Sequence, residues 1–298
     1  MKALLDLAAP AKLNLFLHVV GKRADGYHLL ESVFVLIDWA DTLHLERRTD
    51  GRLQRHDVLG GDLPADDLCL RAARLLQAET GCTLGADIHL EKRLPAGAGM
   101  GGGSSDAATT LLALNRLWDL RLPRERLLAL GLKLGADVPF FLGGGPAFVE
   151  GIGEVLHPIT LPEQRFAVLK GPAGLATAAI FSSELLARSE KLAIVAGFPA
   201  SAGTAERIAA AGEGHNDLQP AAEAISSEVR DALALLSKQF GNARMTGSGA
   251  AVFSVLAGDG KDGKDDQSLA TLLQAQPEGW TGRICRSLAQ HPLSGWSD

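Results

Sequence analysis

The sequence predicts an α+β protein in two domains, and three observations carry that expectation. The chain has 298 residues, more than a single compact core usually organises. Several short stretches alternate apolar and polar residues with the period of a half-buried strand. Others repeat apolar residues at the spacing of an amphipathic helix, and the two patterns follow one another with no internal repeat. The boundary is expected in the joint flanked by Pro158 and Pro162, giving domains 1–160 and 161–298.

Ala11 to Val20 alternates cleanly, with Leu13, Leu15, Leu17 and Val19 on one face and Lys12, Asn14, Phe16 and His18 on the other. After a polar loop from Gly21 to His28, Ser32–Trp39 and Thr42–Arg47 read as the second and third strands. Asp66–Thr80 carries Leu68, Ala72, Leu75 and Leu76 at helical spacing, and Ala86–Lys92 alternates again. A helix is expected from near Ser105, with Leu111, Leu114 and Trp118 on one stripe. Another begins at Pro123, a favourable first helical residue, carries Leu127, Leu130 and Leu134, and stops at Gly135. Pro139 biases the preceding Val138 towards extended backbone. Beyond the boundary, Phe166–Leu169 reads as a strand, Ala176–Ala187 and Ala221–Phe240 as helices, and Ala250–Leu256 as a strand entered from the turn Thr246–Gly249. Asn216 fits a helix N-cap. Gly258–Gln267 lacks the ligand order of a calcium loop and reads as a solvated turn.

Composition excludes some functions. A formal net charge of -6 supplies no broad basic footprint, so a nucleic-acid surface is not expected, although a local pocket of N–H groups and a lysine still admits a small anion. Cys69, Cys82 and Cys285 are far apart and have no metal-ligand spacing, which fits a reducing compartment. No apolar run approaches a membrane span. The opening residues loosely imitate a signal peptide, but Asp6 interrupts the short apolar part, so they read as the lead-in to a strand and a cytoplasmic protein is expected.

The richest chemistry lies in PAGAGMGGGSSDAA, with five glycines between Gly97 and Gly103 followed by two serines and a helical pattern. Glycines admit φ > 0 and let backbone approach an anion, and a helix start presents free N–H groups and a favourable dipole to it. A P-loop is excluded, since no G-x-x-x-x-G-K-[ST] occurs. Gly97, Gly99 and Gly102 satisfy G-x-G-x-x-G, but the preceding strand is amphipathic and a second helix follows, which is the wrong context for a Rossmann site. A glycine turn with no ligand is the remaining alternative, and five glycines exceed what a turn needs.

PxGxGxGGGSSxAA resembles the ATP-binding signature of the GHMP kinases, the superfamily of galactokinase, homoserine kinase, mevalonate kinase and phosphomevalonate kinase. PAKLNLFLHVVGKRADGYHLLESVF, LGADVPFF, FVEGIGE, HNDL and TGSGAAVF are similar, in order and over nearly the whole chain, to the branch acting on a cytidine-diphosphate sugar alcohol in the non-mevalonate isoprenoid pathway. The resemblance implies a two-domain GHMP kinase fold of mixed and antiparallel sheets with packed helices and an active-site cleft between the domains. It implies that Pro95, Ala96, Gly97, Ala98, Gly99, Met100, Gly101, Gly102, Gly103, Ser104 and Ser105 wrap the phosphates of ATP, with Mg²⁺ present and a hydroxyl ligand from Ser104 or Ser105. Lys12 and Asp137 are implied as the catalytic pair, Asp137 accepting the substrate hydroxyl proton. Asn14 shares the face of Lys12 and is expected to point into the same site as a substrate-binding residue. Tyr27 and Phe181 are implied to stack on the cytosine, His28 to read its polar edge, and Gly247, Ser248 and Gly249 to lie near the acceptor. Asp106 is open between capping, facing away and metal contact, and no acidic metal ligand is nominated. The expected partner is the small-molecule acceptor, with no nucleic acid or membrane, in a monomer or weak homodimer. Rival readings are a homoserine- or mevalonate-type kinase, a Rossmann oxidoreductase, and a nucleotide-binding module that never consumes ATP.

Overall fold

The computed structural model describes residues 1–60, 63–186 and 214–297. Its frame is a ten-stranded sheet built around two very long strands, β1 (Ala3–Lys22) and β2 (His28–Arg48), paired antiparallel along their length. The other edge of β2 is divided among three partners. β5 (Ala147–Glu150) takes residues 32–34, β10 (Thr281–Leu288) takes 36–37, and β4 (Gly85–Glu91) takes 42–48. The two strands expected at Ser32–Trp39 and Thr42–Arg47 are therefore one. The polar break between them, Asp41, is fully buried because its carboxylate accepts the N–H groups of Arg93 at 2.6 Å and Leu94 at 2.8 Å. A charge that reads as a turn in sequence is here an acceptor for a later segment.

β3 (Leu53–Leu59) runs parallel to β4 at the end of the sheet, and β6 (Val155–Pro158) extends β5. β10 joins the frame to the C-terminal half through β7 (Arg165–Lys170), β9 (Val252–Leu256) and β8 (Arg244–Met245). Helices α1 (Leu68–Thr80), α2 (Gly102–Leu117), α3 (Arg124–Leu134) and α4 (Val138–Gly143) share an apolar core with β1, β2 and β4. The C-terminal half adds α5 (Thr177–Phe181), α6 (Gln219–Ile225), α7 (Ser227–Phe240) and α8 (Lys264–Gln274). A middle core mixes the halves, with Phe16, Val35 and Phe148 against Phe166, Phe253 and Cys285. No helix among the described residues is long and apolar enough to cross a membrane.

Local chemistry moves several expected boundaries. α2 starts at Gly102, three residues before Ser105, because tertiary contacts hold a glycine start that propensity alone disfavours. Pro123 is the cap before α3 and not its first residue. Val138 opens a helix despite Pro139, since a proline in the first turn lacks only an N–H that would be unpaired anyway. The helix expected over Ala176–Ala187 ends at Phe181, and Ala187 lies outside the described residues. The long helix expected over Ala221–Phe240 is two, because Ser226 turns extended and accepts the Val229 N–H at 3.2 Å, capping the second.

The chain end returns to the N-terminal half, where His291 donates its backbone N–H to Gly144 at 2.6 Å and its Nδ1 accepts from Leu293. The ring is 1 % exposed and Nε2 has no partner among the described residues, so burial pushes its pKa from 6.5 down to about 4. Between these values the unfolded chain binds a proton that the folded chain refuses, so stability present above pH 6.5 is lost as pH falls through 4, by about 3 kcal/mol. Asparagine at position 291 keeps an acceptor for Leu293 without titrating. Thermal unfolding from pH 7 to 4 is expected to show the wild type losing more midpoint than His291→Asn; parallel curves would refute the assignment.

Candidate functional site

The glycine turn is built on alternation. Ala98 and Met100 point down into the middle core, 3 % and 2 % exposed, while Gly97, Gly99 and Gly101 take positive φ of 59°, 71° and 72°. An L side chain in that backbone region is strained. The free faces of these glycines receive other backbone. Gly97 O accepts from Ala250 N at 2.9 Å, and Ala98 O from Ala251 N at 3.1 Å. A Cβ on Gly99 would stand 2.5 Å from Thr246 O, and one on Gly247 would stand 2.6 Å from Gly99 O. The two glycine-rich turns therefore press backbone on backbone. A Cβ on Gly101 would meet the Phe141 ring at 2.8 Å and the Lys12 stem at 3.3 Å.

Met100 O accepts the Lys12 N–H at 3.0 Å, which lashes the turn to β1. The Lys12 ammonium is buried, lies 4.7 Å from the centre of the Phe34 ring, donates to Asn14 Oδ1, and stands 3.8 Å from Asp137 Oδ2. Burial pushes the Lys12 pKa below its usual 10.5, with Asp137 pulling the other way. Asp137 is the residue just before α4 and keeps a third of its side chain exposed. The Asn14 carboxamide is engaged internally, donating to Ser32 at 3.0 Å and accepting from Lys12 and Thr246.

α2 starts at Gly102 without a side-chain cap and with no acid in its first turn, so its leading N–H groups carry no carboxylate. Ser105 donates its hydroxyl to Pro10 O at 2.7 Å and is fully buried, whereas Ser104 is partly exposed. Asp106 points inward. It pairs with Lys92 at 2.7 Å, and Lys92 also pairs with Asp41. Burial, reinforced by Asp41 and opposed by Lys92, pushes Asp106 up to about 7. Asp106 is thus turned into the fold and does not cap α2.

A cavity of about 700 Å³ opens over this floor. It brings together Lys12, Asn14, Tyr27, His28, Gly99, Gly101, Asp137, Phe181, Gly247 and Ser248. Gly249 lies behind it, against Gly99 and Met245. Tyr27 sits on the turn between β1 and β2, 60 % exposed, and Phe181 stacks on His28 with centroids 5.3 Å apart. Sequence reasoning missed Leu17, Leu30, Phe34, Ala136, Ile152, Thr177, Ala178 and Leu218 in the lining. Leu17, Leu30, Phe34, Ala136, Ile152 and Leu218 lie inside motifs that were recognised but were not singled out there, and Thr177 and Ala178 carry no local signal. Asn216 is not the helix cap, because α6 starts at Gln219. Its carboxamide donates to Met245 O at 2.9 Å and Gly247 O at 2.8 Å, and accepts from Leu218 N, so it fixes the second glycine turn.

The GHMP kinases N terminal domain matches residues 67–145 and the GHMP kinases C terminal domain residues 194–275. The 4-diphosphocytidyl-2-C-methyl-D-erythritol kinase of Methylibium petroleiphilum is 59% identical over 299 residues, covering 100% of this chain and 99% of its own. That of Variovorax paradoxus is 54% identical and covers 100% of both. A crystal structure of 4-(cytidine 5'-diphospho)-2C-methyl-D-erythritol kinase superposes with a TM-score of 0.74 at 33% identity, over 93% of this chain and 98% of that one. Homoserine kinase from Cytophaga hutchinsonii, at 17% identity and a TM-score of 0.69 over 98% and 96%, shares the fold.

Gly99→Ala tests the contact between the turns. With φ at 71° and Thr246 O in the way, the variant is expected to lose about 2 kcal/mol or more of stability. Unchanged thermal unfolding would contradict the packing described.

Proposed function

The chain belongs to the 4-diphosphocytidyl-2-C-methyl-D-erythritol kinase family of the GHMP kinases, and on that premise we propose how its residues move the γ-phosphoryl of ATP to the 2-hydroxyl of that acceptor. This is a step of the non-mevalonate isoprenoid pathway. The observation that carries the residue-level reading is the Lys12–Asp137 pair, 3.8 Å apart, on the floor of a cavity running from the glycine turn to Tyr27, His28 and Phe181.

Phosphoryl transfer is catalysed mainly by positioning and electrostatic stabilisation. Pro95 to Ser105 hold the phosphates of ATP, with the uncapped N–H groups of α2 as donors. Asp137, partly exposed, accepts the proton of the acceptor hydroxyl. Lys12 polarises that hydroxyl and offsets charge on the transferring group, and Asn14 orients Lys12. Tyr27 and Phe181 supply stacking surface for cytosine, His28 a polar edge, and Gly247, Ser248 and Gly249 border the sugar alcohol and diphosphate. The two lobes are 1–160 and 161–298. The reading carries with it a cytoplasmic enzyme, a monomer or weak homodimer, whose partner is a small molecule and neither nucleic acid nor membrane.

Among the described residues no group of three acidic, histidine or cysteine side chains forms a metal cage. Mg²⁺ characteristically binds through few protein ligands plus substrate phosphates, and a serine hydroxyl beside the uncapped start of α2 suits that chemistry. Ser104 is the hydroxyl for the role, because it is partly exposed whereas Ser105 is fully buried and turned to Pro10 O. Bound there, the ion would screen the charge of the phosphates.

ADP release is expected only with the cytidine-diphosphate acceptor present. Asp137→Asn and Lys12→Ala are each expected to cut kcat by about 10²–10⁴-fold with the fold retained, the usual effect of removing a general base or a charge-stabilising group. Near-wild-type turnover in Asp137→Asn would remove that residue from the mechanism. The base pocket is tested separately with a uridine acceptor, whose kcat/KM should fall at least tenfold; equal values for both bases would sink the assignment of Tyr27, His28 and Phe181.

A further inference from the structure

Lys170 closes β7 and is 4 % exposed, yet it is not among the residues that line the cavity. Its ammonium donates to three consecutive carbonyls, those of Gly171 at 2.7 Å, Pro172 at 3.3 Å and Ala173 at 3.1 Å. All three N–H bonds of the ammonium are thus directed at one short turn. From the other side Glu228, in the first turn of α7, accepts the Ala173 N–H at 2.7 Å. The fit leaves no slack, since a Cβ on Gly171 would stand 2.8 Å from the Glu228 carboxylate. Burying an ammonium is costly unless its donors are satisfied, so this turn is held by an interaction that a solvated loop would not need.

What the turn leads into gives the arrangement its meaning. Gly174 and Leu175 lie on the ATP side, where Leu175 N reaches Gly97 O at 3.5 Å and a Cβ on Gly174 would stand 3.3 Å from Gly97 Cα. Two residues on, α5 places Thr177, Ala178 and Phe181 in the cavity wall, and the Thr177 hydroxyl meets that of Ser248 at 2.9 Å. Residues 171–176 therefore run from β7 to α5 and pass against the first glycine turn on the way.

We propose that Lys170, with Glu228 opposite, is a positioning residue that makes residues 171–176 a fixed spacer and so sets the width of the cleft for the acceptor. The proposal rests on the placement of the acceptor beside α5. Lys170 touches no reacting group, so it acts on acceptor binding and not on the chemical step. Lys170→Met keeps the length and apolar stem but removes every donor.

The experiment measures steady-state kinetics with each substrate varied in turn, beside amide hydrogen exchange of the unliganded protein. In Lys170→Met the acceptor KM is expected to rise tenfold or more, with kcat and the KM for ATP within about threefold of wild type. Exchange at Ala173 and Leu175 should quicken while β7 stays protected. Glu228→Ala should give the same pattern more weakly, and Glu228→Gln, which retains an acceptor oxygen, should restore wild-type behaviour. An acceptor KM within twofold of wild type in folded Lys170→Met overturns the proposal. If that variant does not fold, an unchanged acceptor KM in Glu228→Ala overturns it instead. A kcat that falls in parallel with a global loss of exchange protection also overturns it, as simple destabilisation. Wild-type protein that fails to phosphorylate the acceptor would refute the site reading itself, whereas the exchange result at residues 173 and 175 stands apart from turnover.

Discussion

The site depends on two backbone turns that touch with no side chain between them. Gly99 and Gly247 lie so close that a Cβ on either would overlap the main chain of the opposite turn. This contact fixes the two turns against each other, and β1 holds both, through the Lys12 N–H to Met100 O and the Asn14 N–H to the Thr246 hydroxyl at 2.9 Å. Residues two apart on one strand are thereby tied to segments from opposite halves of the chain. Lys12, the lysine proposed for catalysis, is held between these ties by the fold itself.

The buried charges around the cleft obey the same constraint of fixed partners. Three buried or nearly buried ammonium groups lie there, and each has a different setting. Lys12 donates to Asn14 and faces Asp137 across a gap that an acceptor hydroxyl can enter. Lys92 is closed between Asp41 and Asp106, within the fold. Lys170 is saturated by carbonyls. Of these three, only Lys12 retains unsatisfied electrostatic capacity at the cavity. With Asp106 turned inward and α2 left uncapped, the start of α2 presents N–H groups and no carboxylate in its first turn.

Much of this was legible in the chain. The alternation of Lys12 and Asn14, the glycine run, the Tyr27–His28 loop and Asp137 after a helix stop are local patterns, and the structure gathers them around one cavity. Ala98 and Met100, alternating with glycines, also mark in the sequence which side of the turn is buried. Other features were misread because their causes are not local. Asp41 looked like the end of a strand, since the N–H groups it accepts, on Arg93 and Leu94, lie far along the chain. Asn216 looked like a cap, because its real partners, Met245 and Gly247, belong to a distant turn. Ser226 split a helix that hydrophobic spacing alone would continue.

The sequence by itself determined the chemistry of the parts: a glycine turn able to meet an anion, a lysine and an aspartate able to serve a hydroxyl, an aromatic loop, and mixed helix and sheet. Those follow from residue type and short-range spacing, on which side-chain chemistry and backbone freedom depend. Tertiary structure alone decided which serine keeps a free hydroxyl, which way Asp106 faces, that the two glycine turns press together, and that Lys170 pins the span leading to α5. Each of these is a matter of packing and of satisfying every buried polar group, and neither is written in any local pattern.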